Sequence, residues 1–414
     1  MAFQYLDNRL FVENLEVEKI AQEVGTPVYI YSKEHFETQY RRLDRAFKRR
    51  HTICFAIKSN SNLSVISTFA RLGSGADIVS GGELFRALKA GVDPEKIVFS
   101  GVAKTEKEME YALKSGILMF NVESMEELYA LDRVAGKLSM KAPVAFRVNP
   151  DVDPKTHPYI STGLKKNKFG IPYEEAIDAY IKARELPNIA IKGIQFHIGS
   201  QLLDSTPIYD ASVRVAKLIK EIQKRGINID VIDVGGGLGI VYNPDNEKEP
   251  SVETYAQRIE EAFAEFPDAL LVCEPGRYLV GNGGILVSQV LYHKSNNEKH
   301  FMIVDAGMND LLRPSLYNAY HRIEPCCKKG NNTIRCDIVG PICETGDFLA
   351  RDYTIEDVQN GEYIVVFSAG AYGFTMASNY NSRTRAAEVL VDSDRYRVVR
   401  ARETWEDLIK GEEL

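Results

Sequence analysis

A chain of 414 residues has room for two domains, or for one barrel-sized domain and a smaller one. With 44% hydrophobic and 26% charged residues its composition is that of a globular protein, and 51 basic against 58 acidic side chains, a net charge of −7, argue against a nucleic-acid partner. No apolar run reaches the roughly 18 residues of a membrane span, and the N-terminus MAFQYLD lacks the basic and apolar regions of a secretion signal, so a cytoplasmic location with no membrane partner is expected.

From about residue 33 short apolar runs alternate with helical periodicity. The runs fall at 52–57, 75–79, 96–100, 117–122, 143–148, 191–198, 229–234 and 269–273. Helical windows lie between them at 83–90, 106–114, 125–134, 173–184, 209–225 and 255–266. Near-continuous apolar strands alternating with helices predict parallel strands buried on both faces. Eight such units in about 250 residues predict an α/β fold, a (β/α)8 TIM-type barrel, with a doubly wound open sheet as the competing arrangement. The segment 149–170 has little periodicity and carries Pro154 and Pro158, as a lid or binding loop would.

After residue 278 the pattern changes. Runs at 285–293, 301–305, 333–339, 363–367, 386–391 and 395–401 are strand-like, with few helical windows between them, and predict a second, mostly β C-terminal domain. The strand-like 28–31 precedes the barrel and is expected to pair with that domain. The expected division is therefore a barrel over 33–280 and a β-rich domain built from 1–32 with 281–414. Six cysteines, at 54, 273, 326, 327, 336 and 343, are too scattered for a disulfide framework. Four of them with His321 lack the CxxC spacing of a zinc site, so no metal is expected.

The carboxyl ends of barrel strands line the active site. Here those ends carry Lys58, Asp77, Asn121, Arg147, His197, the glycines 235, 236 and 237, and Glu274. Lys58 follows five apolar residues, Ile53 to Ile57. Against low-dielectric walls its ammonium form would be disfavoured, giving the neutral amine that Schiff-base chemistry with a carbonyl cofactor needs. An ordinary solvated lysine is the plainer alternative. The other positions suit pyridoxal phosphate (PLP), which needs a partner for its ring nitrogen, a neighbour for its ring face and a phosphate cradle. Glu274 suits the ring nitrogen, and Arg277, in EPGR, suits a phosphate or carboxylate. The run Gly235-Gly236-Gly237-Leu-Gly239 allows close backbone approach to a phosphate, and Ile240 stands where GxGxxG would need its last glycine. In FHIGSQ, His197 suits the ring face and Ser200 the phosphate. In the β-rich domain, Cys343 beside Glu344 in a glycine-flanked turn suits proton transfer. Arg313, Tyr317 and Tyr320 lie in segments suited to clamping a polar substrate.

The segments FAIKSN, HPYISTGLKKNKFGI, FHIGSQ, DVGGGLG, EPGRYLV, LLRPSLYNAYH, GPICETGD and SAGAYGF span nearly the whole chain. In this order they resemble the alanine-racemase-type (fold type III) PLP-dependent decarboxylases, most closely the diaminopimelate decarboxylase family. The resemblance implies that Lys58 holds the cofactor aldehyde, that Asp77 belongs to the cofactor set and that His197 stacks on the ring. It places Ser200, Gly235, Gly236 and Gly237 at the phosphate, Glu274 at the pyridinium, and Gly276, Arg277 and Tyr372 at the cofactor. Arg277, Arg313, Tyr317, Glu344 and Tyr372 are then substrate-binding positions, with Cys343 the proton donor. It also implies a homodimer with active sites completed across the interface, and decarboxylation of meso-2,6-diaminoheptanedioate to L-lysine, the last step of lysine biosynthesis. Ser59 and Thr345 depart from the FAxKAN and CESGD forms of many relatives without changing the reactive atoms. A decarboxylase of ornithine, arginine or a carboxynorspermidine-type substrate is the alternative, followed by a catalytically silent PLP-binding protein.

Overall fold

The computed structural model describes residues 2–152, 168–296, 298–330 and 332–414. Most of the segment expected as a lid or binding loop, and most of HPYISTGLKKNKFGI, lie outside the described residues. By internal packing the chain forms two compact units, Gln39–Ile240 with Glu249–Tyr278, and Met1–Thr38 with Val241–Lys248 and Leu279–Leu414.

The first unit is a closed parallel barrel. Its strands are β1 (His51–Ala56), β2 (Gly75–Ile78), β3 (Ile97–Phe99), β4 (Met119–Val122), β5 (Ala142–Asn149), β6 (Ile189–Gln195), β7 (Val231–Asp233) and β8 (Leu270–Cys273). Each pairs in parallel with the next, and Leu271 opposite His51 through Cys273 opposite Ile53 closes the ring. All eight expected strands are present, so the open doubly wound sheet is excluded. Cys54, Val98, Met119, Ala145, Val231 and Val272, from six of the strands, pack together as an inward layer. The barrel interior is therefore a packed core whose chemistry is confined to its rim.

Sequence sets where the barrel helices start. Asn62, Ser80, Ser124 and Ser251 each cap a helix by accepting a backbone N–H, and Thr105 with Glu108 forms a reciprocal capping box ahead of Glu106–Ser115. The caps at Asn62, Ser80, Thr105 and Ser124 end the short connections that follow the first four barrel strands, and Ser251 caps the helix after β7 at the end of a longer one.

The second unit is mostly β. Its main sheet runs in the order Phe348–Glu356, Thr333–Val339, His300–Val304, Gly284–Ser295, Val28–Ser32, Ala387–Asp392, Arg395–Arg400, with Tyr363–Val366 also pairing Gly284–Ser295 and carrying Ile323–Pro325. The early strand Val28–Ser32 pairs with the second unit's strands, as expected, and lies between Gly284–Ser295 and Ala387–Asp392. Phe3–Leu6, Arg9–Val12 and Leu15–Glu16 form a small antiparallel sheet. Val12, Ile20, Val28, Ile30, Ile285, Val287, Val365 and Val389 share one core. No helix among the described residues is long and apolar enough to cross a membrane.

Candidate active site

The rim at the carboxyl ends of the barrel strands gathers an unusual density of buried polar groups. Strand β1 ends at Ala56 and a single tight turn, Ile57–Ser59, projects Lys58 from it. Lys58 does not face the apolar walls expected from the sequence. Its side chain is 42% exposed, and Nζ forms an ion pair with Oδ2 of the fully buried Asp77 at 2.6 Å. The apolar run stays buried as far as Ile57, the residue before the lysine, and a carboxylate from the neighbouring strand β2 holds the amine.

Glu274, directly after β8, is the centre of the cluster. Its Oε1 accepts from Ser100 Oγ at 3.4 Å and Asn121 Nδ2 at 3.3 Å, and its Oε2 accepts from Gln195 Nε2 at 3.4 Å. Asn121 also donates to Asp233 Oδ2 at 3.3 Å, so its amide bridges the Asp233 and Glu274 carboxyls. Asp77, Asp233 and Glu274 thus bring three buried carboxyls together beside one lysine. Burial pushes Asp233 up to about 7, and burial with the charges of Asp233 and Asp77 holds Glu274 well above the ordinary carboxylate range. Without a further positive charge the pair retains a proton near neutral pH. Among the described residues, Asp77 Oδ1, Asn121 Oδ1 and Gln195 Oε1 are buried acceptors without a protein partner. The electrostatics of the rim therefore favour a cation at Glu274.

Next to this cluster lies the glycine run. Gly235 and Gly237 have φ of 66° and 118°. A Cβ on Gly236 would lie 2.3 Å from the Glu274 carbonyl oxygen, so only glycine lets this backbone pass the end of β8. Asp233 Oδ1 accepts from Gly235 N–H at 2.9 Å, tying the run to the carboxyl pair. Gly236 N–H donates to His197 Nδ1 at 3.3 Å. Burial, then the positive charges of Arg147 and Lys58, push the His197 imidazole well below its ordinary value, so the ring is neutral. Ser200 Oγ accepts from Arg277 Nη2 at 3.2 Å, and Gly276 lies against Ser59 and Ala56. The barrel thus brings Lys58, Asp77, His197, Ser200, the three glycines, Glu274, Gly276 and Arg277 to one rim.

A further network braces the same rim. Glu123 accepts from Arg147 Nη1 at 3.2 Å, from Gly101 N–H at 3.0 Å and from Gly170 N–H at 2.9 Å. Sequence reasoning missed Asp233, Gln195, Ser100 and Glu123. Their signal was a single polar residue inside or just after an apolar run, as in Val-Ile-Asp233 and Gly-Ile-Gln195.

The β-rich unit carries the remaining positions. Arg313 is buried at the start of the short helix Arg313–Tyr317 and stacks over the Tyr242 ring, with its carbon 4.6 Å from the centroid. Tyr317 closes that helix and is half-buried. Cys343 and Glu344 are exposed. They lie in a turn that Asp347 staples by accepting from Ile342 N–H and Met308 N–H, both at 2.6 Å, while Cys343 N–H donates to Asn381 Oδ1 at 2.6 Å. Tyr372 has φ of 55°, a conformation that bulky side chains adopt only where the surroundings enforce it.

Comparison with known proteins adds to this geometry. Residues 33–281 match the family described as pyridoxal-dependent decarboxylase, pyridoxal binding domain. Diaminopimelate decarboxylase of Aquifex aeolicus is 50% identical over 407 residues, 98% of this chain and 96% of that protein. The crystal structure of diaminopimelate decarboxylase from Helicobacter pylori complexed with L-lysine superposes with a TM-score of 0.91 at 46% identity, covering 95% of this chain and 98% of the other. The enzyme from M. jannaschii in co-complex with L-lysine gives a TM-score of 0.95 at 38% identity, covering 100% and 98%.

Proposed function

The chain belongs to the pyridoxal-dependent decarboxylases and, among them, to the diaminopimelate decarboxylase family, and from that premise we propose that it converts meso-2,6-diaminoheptanedioate to L-lysine and CO2. The observation that carries the reading is the rim cluster, in which an accessible lysine amine and three buried carboxyls stand beside a glycine cradle.

The residues present fit pyridoxal phosphate. The buried acceptors around Glu274 suit a protonated ring nitrogen, and the glycine run with Ser200 and Arg277 suits a phosphate. When bound, the cofactor supplies an aldehyde for the substrate amine and a protonated ring that accepts the electron pair left when CO2 departs. Lys58 holds that aldehyde between turnovers, and Asp77 keeps the lysine amine in place. Glu274 keeps the proton on the ring nitrogen, and Asp233, Asn121 and Gln195 orient its carboxyl. Neutral His197 packs on the ring face without adding a charge that would compete with Glu274.

The β-rich residues act on the substrate. Arg313, with Arg277, takes the distal carboxylate, Glu344 the distal ammonium, and Tyr317 and Tyr372 complete the contacts. The D-configured carbon loses CO2, and the Cys343 thiol gives that carbon its proton, which is replaced from solvent. In this reading the working unit is a homodimer, with Cys343 and Glu344 serving the barrel of the other protomer.

Substrate choice follows from the distal end, since ornithine, arginine and lysine present no second carboxylate there. In a CO2-release assay with holoenzyme, meso-diaminopimelate is expected to exceed the other three in kcat/KM by roughly 100-fold or more. Comparable rates for lysine or ornithine would refute the assignment.

A further inference from the structure

We propose that His321 is a positioning residue for substrate recognition: together with the Tyr242 ring it fixes the Arg313 guanidinium in the orientation that takes the substrate's distal carboxylate. The inference rests on the role given to Arg313 above and adds what sets its direction.

Arg313 Nη1 lies 2.6 Å from His321 Nε2. A guanidinium can only donate, so Nε2 is the acceptor and the imidazole proton sits on Nδ1. That nitrogen lies 2.8 Å from the Phe367 carbonyl oxygen, which accepts its proton. The backbone after the strand Tyr363–Val366 therefore selects the tautomer, and the tautomer selects the side of the ring that meets Arg313. His321 is 1% exposed, and its ring meets Tyr242 edge to face, with centroids 5.3 Å apart and planes at 81°. Tyr242 in turn lies under the guanidinium of Arg313.

Tyr242 belongs to the segment Val241–Lys248, which follows the glycine run in sequence yet packs with the β-rich unit. Glu247 Oε2 folds that segment into a turn by accepting from Tyr242 N–H at 2.7 Å and Asn243 N–H at 3.1 Å. The phenol ring is thus presented by a braced turn.

The chemistry of these contacts matters more than their number. An imidazole lone pair and an aromatic face both hold a guanidinium, and neither brings a negative charge to it. An aspartate or glutamate in place of His321 would form an ion pair and compete with the substrate carboxylate. A neutral acceptor orients the arginine without adding a negative charge of its own. Two contacts in different directions also define the guanidinium plane, which a bidentate hold on a carboxylate requires.

The test uses holoenzyme and two small molecules that differ at the distal end, each titrated as a competitor of the substrate. L-Lysine keeps a distal carboxylate, and 1,5-diaminopentane does not. In His321→Leu, the KM for meso-diaminopimelate and the KI for L-lysine are expected to rise together by about 10- to 100-fold, the worth of one hydrogen bond to a charged group. The KI for 1,5-diaminopentane and the absorbance of bound cofactor should stay within about threefold of wild type, because neither involves Arg313. His321→Gln, whose amide oxygen can accept from Arg313, should recover most of the loss. Arg313→Ala separates the two layers of the argument. If it leaves KM and the L-lysine KI unchanged, the role given to Arg313 is itself wrong. If it raises both while His321→Leu raises neither, or shifts the two inhibitors equally, the positioning proposal is overturned. Should His321→Leu fail to fold, Tyr242→Leu carries the test, and an unchanged ratio of the two inhibition constants would overturn the proposal.

Discussion

Two buried carboxyls bridged by the Asn121 amide set the behaviour of the rim. The ring nitrogen of a bound cofactor would bring the positive charge that Asp233 and Glu274 lack, so the pair is at its least favourable in the cofactor-free protein once it ionises. A carboxyl whose folded pKa lies above its unfolded value stabilises the fold below that unfolded value, and the contribution disappears as pH rises to the folded one. For Asp233 the window runs from the ordinary carboxylate range, about 4, to about 7. Cofactor-free wild type should therefore lose stability relative to Asp233→Asn between roughly pH 4 and 7, by on the order of a few kcal/mol, read as a changing difference in melting temperature. A constant difference across that range would contradict the shared-proton picture. Lys58, His197 and Glu274 were legible in sequence because each interrupts or directly follows an apolar run. Asp233 and Gln195 were not, because a lone polar residue within a strand reads as noise until the ring closes and its neighbours are known. The apolar setting expected for Lys58 failed for the same reason, since Asp77 comes from the next strand and not from the lysine's own.

At the scale of elements, the glycine run and the end of β8 form one junction. Its tightness is set by Gly236, whose added Cβ would meet backbone at 2.3 Å and not the movable end of a side chain. Gly236→Ala is expected to cost about 1–3 kcal/mol of stability. It should also raise the PLP concentration for half-saturation roughly tenfold or more, measured by absorbance titration. Unchanged melting and affinity would show that the junction is looser than its geometry. The barrel strands were legible because parallel strands buried on both faces read as continuous apolar runs, and the Ser, Thr and Asn caps mark the helices between them. The strand Phe348–Glu356 was not, because its sequence FLARDYTIE is partly exposed and alternates only weakly. Phe3–Leu6 and Arg9–Val12 were missed as four-residue strands of mixed polarity, joined by Asp7 and Asn8 with positive φ.

At the scale of the whole molecule, the proposed division of labour gives the barrel the cofactor and the β-rich unit the proton donor and the distal-end contacts. If those two sets of residues serve each other across a homodimer, subunits with different defects should complement. Mixing equal amounts of Lys58→Ala and Cys343→Ala protein, each inactive alone, should restore about a quarter of wild-type activity after random exchange, since half the dimers would carry one intact site of two. Exchange demonstrated without recovery would place both residues in the site of a single protomer. The most direct measurement is CO2 release from carboxyl-labelled meso-diaminopimelate by wild type beside Glu274→Gln, both saturated with cofactor. Wild type should turn over steadily, and the variant, with its cofactor still bound, should be slower by about 100-fold or more, because the amide cannot hold the ring nitrogen's proton. Equal rates, or no release from diaminopimelate by wild type, would contradict the proposed chemistry.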